Sequence, residues 1–588
     1  MKGLRILIIS FLCSGFIDWL QAAVSLVHIF DNNMVLQRDK PVKMWGLADP
    51  LEKVNIKFNG QSKSSVANKL GEWSLYLDPM IANTNPMDLI VSGKKNVLKF
   101  SNVLIGDVWI LGGQSNMEFD LARIFHGDAE IVSAHFPNIR LMTIPSSANK
   151  KPQKDFERIN EYDSWYDRYD KKGYWFECSP ETVPTFSAIG YIFGRRLYMA
   201  SQVPIGLIDA SLGGTTLEAW LTPETLAKMP ENNLLLKQWN DKVSTYDPEE
   251  DLKAMIKNWE KNNETRIKEG LETTPKPTEA SPNPRFDRNF PGSSYTGMIS
   301  VFAGLTAKGI LFHQGYNNAL DDSRPKQYAI NFKTLISDWR LTFEDKDFPF
   351  GIIEFSAGGE PQTHDNYELR MIDPSPHIRE GQFKAFKELP NTGYVCSYDQ
   401  QVNWYHPQKK VELGERIARW ALATQYGIKL NWEPAICTGI ERQKDKIIVT
   451  FNKAVKTSDD RPIEGFCIAG SDQHFYPSKA EFVKTKDKNG KWVENKMQIE
   501  VSNNLINDPI QVRYAWARNP LGNLVSDDSR IIPVPLFRSD DWDYPEAPYS
   551  PEEYSNQRTH LKSLSKKAEE LAKNRIVGEA GMILKEKQ

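Results

Sequence analysis

Cysteine is scarce, with 5 in 588 residues, and the first, Cys13, falls in an N-terminal apolar stretch. The other four, Cys178, Cys396, Cys437 and Cys467, are spaced too widely for a zinc site or a redox CxxC pair. They read either as buried free thiols or as disulfides, which four cysteines can form in three ways. An excess of charge is also lacking: 73 Lys+Arg stand against 76 Asp+Glu, a formal charge of −3. That balance argues against a nucleic-acid partner, whose binding surface is built on basic residues. Long apolar runs are missing as well. Beyond the N-terminus nothing approaches the roughly 20 residues a bilayer span needs, so no membrane association is expected of the processed chain.

What is present is enough for folded cores. The chain is 40% hydrophobic and 11% aromatic, which excludes wholesale disorder. Aromatic planes suit sugar faces as well as cores, so carbohydrate is a first candidate ligand. At about 100–200 residues per domain, the length predicts three or four domains. Lys2 and Arg5 precede the run Ile6–Leu12, and small residues Ala22 and Ala23 follow. This order predicts a signal peptide over 1–23 and a secreted or periplasmic protein.

The rhythm of the chain then divides it. Over 24–105, short alternating stretches such as Val54–Phe58 and Trp73–Leu77, separated by turn residues, predict an N-terminal β-domain. Over 106–427, apolar strands alternate with helical patterns. The strands are Val108–Leu111, Val203–Ala210, Gly309–Phe312, Phe350–Phe355 and Gly393–Tyr398, and helices are predicted over Gln327–Phe343 and Gln408–Gln425. The fold class is therefore α/β, a parallel sheet covered on both faces. Residues 230–290 are polar, charged and then Pro-rich, and read as a helical insertion. A C-terminal β-domain is predicted over 428–545 and a charged helical tail over 546–588.

Ligands of open parallel sheets bind beyond the carboxyl ends of the strands. Val108–Leu111 is followed by Gly112-Gly113-Gln114-Ser115-Asn116-Met117 and a helical pattern. The glycines allow a tight turn that presents Ser115, although spacing alone reads this serine first as a helix N-cap. Ser211-Leu212-Gly213-Gly214 follows a second strand, His313-Gln314-Gly315-Tyr316-Asn317-Asn318 a third, and Asp399 a fourth. Ser211 is a rival strand-end serine without the GxSxG spacing. A serine nucleophile needs a base. Of nine histidines only His313 and His406 stand near strand ends or helix starts, and the position just before a helix favours His406.

Several blocks together carry a family resemblance. Ile105–Met117 closely resembles the nucleophile block of sialate O-acetylesterase-type carbohydrate esterases, members of the SGNH hydrolase superfamily. Met34–Arg38, Pro291–Met298, Gln314–Ala319, Ile378–Gln382 and His406–Lys410 with Gly414–Arg416 are similar to further blocks, in family order. The resemblance implies a three-layer SGNH, flavodoxin-like core flanked by the two β-rich domains. It implies a carbohydrate O-acetylesterase with an acetylated carbohydrate as substrate and neither metal nor organic cofactor. Ser115 would be the nucleophile and His406 the base. Oxyanion or substrate contacts would come from the Ser115 N–H, Gly213, Gly214, Gln314 and Asn318, with Gln114 and Asn116 flanking the serine. Two positions depart from the pattern. Tyr316 stands where the family commonly has Glu, and Trp404 where it often has Asp. Asp399 is the nearest acid left to orient His406, unless it serves an Asx turn. A non-catalytic glycan-binding protein on the same scaffold, or an acetyl xylan esterase, are the alternatives these residues leave.

Overall fold

The structure, a computed structural model, describes residues 23–542 apart from 150, 164–167, 321–323, 372, 401–403 and 472, together with the antiparallel pair Arg575–Val577 and Ile583–Lys585. All but the last residue of the expected signal segment, and nearly all of the expected helical tail, lie outside the described residues. Among those described, no helix is long and apolar enough to cross a membrane.

Seven strands form the sheet that carries the site. In chain order they are β1 (Val97–Gly113), β2 (Phe136–Thr143), β3 (Phe176–Cys178), β4 (Ile205–Asp209), β5 (Gly309–His313), β6 (Phe350–Ile353) and β7 (Thr392–Val395). Across the sheet the order is β3-β2-β4-β1-β5-β6-β7. Every neighbouring pair is parallel except β3 with β2. The strands are nearly continuous apolar runs because both faces are covered. Trp109, Leu111, Leu207 and Leu311 pack into one core with Ile189 and Phe193 of helix Ala188–Ser201 and with Ile417 and Trp420 of helix Lys410–Gln425. Their neighbours Ile110, Ile208, Phe312 and Ile352 pack the other way, against Phe332 and Trp339 of helix Arg324–Thr342 and Ile378 of helix Ser375–Glu388. Period-two alternation thus splits each strand between two cores.

Strand β1 belongs to two structures. Its first half pairs antiparallel with Asn83–Ser92 and parallel with Val35–Gln37 of the N-terminal β region; its second half is the middle of the parallel sheet. The strand therefore runs unbroken through residues 105 and 106, where the sequence rhythm changes. After β4, the helices Asn233–Ser244 and Pro248–Lys268 occupy the segment expected to be inserted. Beyond residue 428 the chain forms antiparallel sheets, one of them ordering Cys437–Gln443, Lys446–Phe451, Trp492–Ser502 and Lys479–Lys486. The four described cysteines are free thiols: Cys178, Cys396 and Cys467 are buried and Cys437 partly so.

Candidate active site

The order in which the chain adds strands reverses around β1, with β4 on one side and β5 on the other, and the carboxyl edge there is where a doubly wound sheet binds ligands. The chain leaves β1 through Gly113, whose φ of +123° belongs to glycine. A Cβ at this position would lie 2.2 Å from the His313 carbonyl oxygen. This close approach aligns the β1 and β5 exits, and Gln114 N–H donates to that same carbonyl at 3.0 Å. Gln114 takes the cap position without a side-chain capping bond. Ser115 is therefore the first residue of the helix Ser115–Glu118 rather than its cap, and its N–H has no acceptor within the helix. Ser187, the cap of the Ala188–Ser201 helix, donates to the Met117 carbonyl at 2.6 Å and ties this short turn to the core.

Ser115 and His406 line one cavity of about 660 Å³. Glu118, Asp209, Arg123, Tyr169, Lys172 and Phe176 share its wall. His406 sits among aromatic rings: Tyr405 at 4.4 Å, Trp404 edge-on at 5.3 Å and Phe119 at 5.4 Å between centroids. Its Nε2 is buried without a hydrogen-bond partner. Burial, assisted by the nearby Lys410 and Arg123 charges, lowers the imidazole to about 4, so the ring is neutral at physiological pH. Neutral with a free ring nitrogen is the state a general base requires.

Asn116 connects the serine to the histidine. Its Nδ2 donates to the Tyr405 carbonyl at 3.0 Å and its Oδ1 accepts from Lys410 Nζ at 2.5 Å. Lys410 is fully buried, and that desolvation lowers its ammonium to about 7. Gln408 Nε2 donates to the Arg123 carbonyl at 2.8 Å, a second tie between the two loops.

The remaining expected residues divide. Gly213 reaches the serine: a Cβ added there would lie 3.3 Å from Ser115 Cβ. Its N–H, however, already donates to Glu118 Oε2 at 2.6 Å. The Gly214 carbonyl accepts from Asn289 and Asn317, which shapes the loop. Gln114 spends its amide on Gly315 N–H and on Asn317. Gln314 and Asn318 are buried and committed elsewhere. Gln314 Nε2 donates to the Thr215 carbonyl and to Asn318 Oδ1, while Asn318 Nδ2 is directed at the Glu218 carboxylate. The hydrogen bonds of both amides thus run to other buried partners, where the expectation directed them at the acyl oxygen on Ser115. Asp399 is likewise not brought to His406. Both of its oxygens are held by Arg416, at 2.8 and 2.5 Å, in a bidentate pair that outcompetes a neutral imidazole. His313, the other histidine considered, is buried between the Ile353 carbonyl and Ser356 Oγ and is lowered to about 3 by burial. Ser211 donates to Asp209 Oδ1 at 2.5 Å. Of the two aromatic departures, Tyr316 stacks on Phe355 at 5.5 Å, and Trp404 stands over His406.

Two wall residues had no sequence signal. Asp209 ends a strand, where burial lifts it to about 7 against the hydrogen bonds from Ser211. Glu118 reads as an ordinary first-turn acid. Its carboxyl is raised by burial, in opposition to the Gly213 bond and to Lys172, Arg288 and Arg123. Among the described residues, no group of three or more His, Cys, Asp or Glu is placed to hold a metal ion.

Residues 285–423 match the model of the carbohydrate esterase, sialic acid-specific acetylesterase family, a stretch that contains His406. The sialate O-acetylesterase of Mus musculus is 26% identical over 547 residues, covering 86% of this chain and 92% of that protein. Over most of its length the chain is similar to carbohydrate esterases of the sialate O-acetylesterase type. This makes it a carboxylic ester hydrolase. The Homo sapiens sialate O-acetylesterase is 23% identical over 532 residues, with 83% of this chain and 87% of that protein covered. A crystal structure of a carbohydrate acetylesterase from Xanthomonas citri superposes on the esterase with a TM-score of 0.70 at 25% identity, covering 88% of this chain and all of that one.

Proposed function

We propose that this esterase removes acetyl groups from sugar hydroxyls, on O-acetylated sialic acids as in its named relatives, through Ser115 and His406. The observation that carries the reading is that these two residues, remote in sequence, line one cavity, with His406 neutral and its Nε2 unpartnered. Ser115 Oγ attacks the acetyl carbon while His406 takes the hydroxyl proton. The acyl oxygen becomes negative in the tetrahedral state and is met by the Ser115 and Gly213 N–H groups. The sugar hydroxyl leaves with the proton from His406, an acetyl-Ser115 ester remains, and water, activated by the same imidazole, releases acetate. Among the described residues no carboxylate is hydrogen-bonded to the ring. Its aromatic neighbours and the Asn116–Tyr405 bond orient it instead.

The same proposal takes the parallel sheet and its two helical cores as a three-layer SGNH-type domain over 106–427, flanked by β-domains over 24–105 and 428–545. It takes the chain as secreted or periplasmic, on the strength of the basic and apolar N-terminal segment.

Hydrolysis of 4-nitrophenyl acetate by wild type and Ser115→Ala tests the mechanism. The variant should lose between about ten-thousandfold and a millionfold in kcat; equal rates would overturn the serine assignment. Acetate release from a panel of O-acetylated sialosides and xylo-oligosaccharides tests the sugar. Binding of those glycans without turnover would instead support a lectin-like role, for which the missing acid beside His406 is the motive.

A further inference from the structure

Glu118 is a carboxyl in the cavity wall that the reaction above leaves unused. It follows Ser115 by three residues, which puts both on one face of the same turn. Its Oε2 accepts the Gly213 N–H at 2.6 Å, and a Cβ built on Gly213 would lie 2.8 Å from that oxygen and 3.3 Å from Ser115 Cβ. The carboxylate therefore occupies the amide that an acyl oxygen on Ser115 would need. A backbone amide has one hydrogen, so the two oxygens compete for it. They also repel, because the acyl oxygen turns negative in the tetrahedral state while an ionised Glu118 already is.

We propose that Glu118 gates the oxyanion site: it holds the Gly213 amide in the resting enzyme, and only its protonated form yields that amide to the acyl oxygen. The proposal rests on the reading of Ser115 as nucleophile. Protonation takes up one proton from solvent, converts a strong acceptor into a weak one and removes the repelling charge; no other reactant is consumed. Glu118 acts through Gly213 and is a positioning residue. The charged groups facing it are Asp209 at the end of β4, Lys172 from the hairpin Ile159–Asp163 with Arg168–Lys172, Arg288 from the loop before Pro291, and Arg123 after the nucleophile turn. Burial and Asp209 favour the neutral acid, and the three cations favour the carboxylate. Burial is the largest of these influences and raises the carboxyl above its ordinary range.

The test is the pH profile of kcat/KM for 4-nitrophenyl acetate between pH 5 and 9, uncatalysed hydrolysis subtracted, for wild type, Glu118→Gln, Glu118→Met and Asp209→Asn. Wild type should fall about tenfold per pH unit once Glu118 ionises. Glu118→Gln should lose that alkaline fall and exceed wild type by more than about tenfold at pH 9. Glu118→Met also carries no charge and stands in where the glutamine variant fails to fold by circular dichroism. An alkaline fall retained in both variants, or abolished by Asp209→Asn and not by them, overturns the gate. Full activity in Ser115→Ala would overturn the nucleophile reading, and the gate with it, and is distinguishable because it needs no pH series.

Discussion

At the scale of single residues, the question is how His406 works without an acid. In a serine triad the carboxylate holds the imidazole in one tautomer and stabilises the imidazolium formed during attack. Here the ring is buried among three aromatic rings, and that burial together with two nearby cations disfavours the imidazolium. The ring is consequently an available but weak base. Its folded value of about 4 lies below the ordinary 6.5, so the neutral form contributes stability above pH 6.5, and that contribution is lost as pH falls toward 4. Activity should follow the neutral ring, with an acid limb in kcat/KM centred near pH 4. Trp404→Asp restores the carboxylate expected at that position beside the ring. An opposite charge within reach raises a histidine by about 1–3 units, so the acid limb of this variant should move up by that amount. A limb that stays near pH 4 would show that a residue other than His406 accepts the proton.

At the scale of elements, four residues of helix cannot hold a nucleophile by themselves, because nucleation is unfavourable and no full ladder forms. Asn116 supplies the missing fixation by bonding the Tyr405 carbonyl on one side and the Lys410 ammonium on the other. Asn116→Ala should leave Lys410 buried without an acceptor, at a stability loss of about 1–3 kcal/mol by urea denaturation. It should also loosen Ser115 against His406 and lower kcat by up to about a hundredfold. A folded variant with unchanged kcat would mean the tether is only structural. These elements were legible unevenly. The strands ending at Gly113, Asp209, His313 and Val395 stood out, to within a few residues, because short apolar runs near glycine have few other uses in a folded core. Ser115, Gly213 and His406 stood out because they follow those runs or open a helix. Asn116 was named as a neighbour of the serine, but its two partners lie some 290 residues on, in the loop before helix Lys410–Gln425 and at its first residue, and no local pattern encodes them. Asp399 misled for the same reason: it stands at a strand end like a catalytic acid, while its partner Arg416 is on the following helix. Glu118 was hidden by ambiguity, since an acid in a first helical turn is ordinary.

At the scale of the whole molecule, the regions flanking the parallel sheet are joined to it by covalent continuity at one end and by buried arginines at the other. The N-terminal region shares β1, and Arg38 pairs with the buried Asp107 at 3.1 Å across that junction. The C-terminal region is held by Arg379 and Arg416. Arg379, fully buried on helix Ser375–Glu388, donates to the carbonyls of Phe355, Ala517 and Arg518 at 3.0, 2.7 and 2.7 Å. Glu354 lies 3.8 Å away and accepts from the Ser397 and Tyr398 N–H groups beyond β7. Arg416 adds a bond to the Ile531 carbonyl while it holds Asp399. Removing one partner of such a buried pair leaves the other charge and several carbonyls unsatisfied, which costs roughly 3–5 kcal/mol. Arg379→Met keeps the volume and removes the donors. It should lower the melting temperature and expose the segment around Ala517 to limited proteolysis before the rest of the chain. None of these contacts reaches Ser115 or His406, so kcat per folded molecule on an aryl acetate should stay within about twofold of wild type. Proteolysis spread evenly over the chain, at an unchanged melting temperature, would show that the C-terminal sheets are held by their apolar contacts alone.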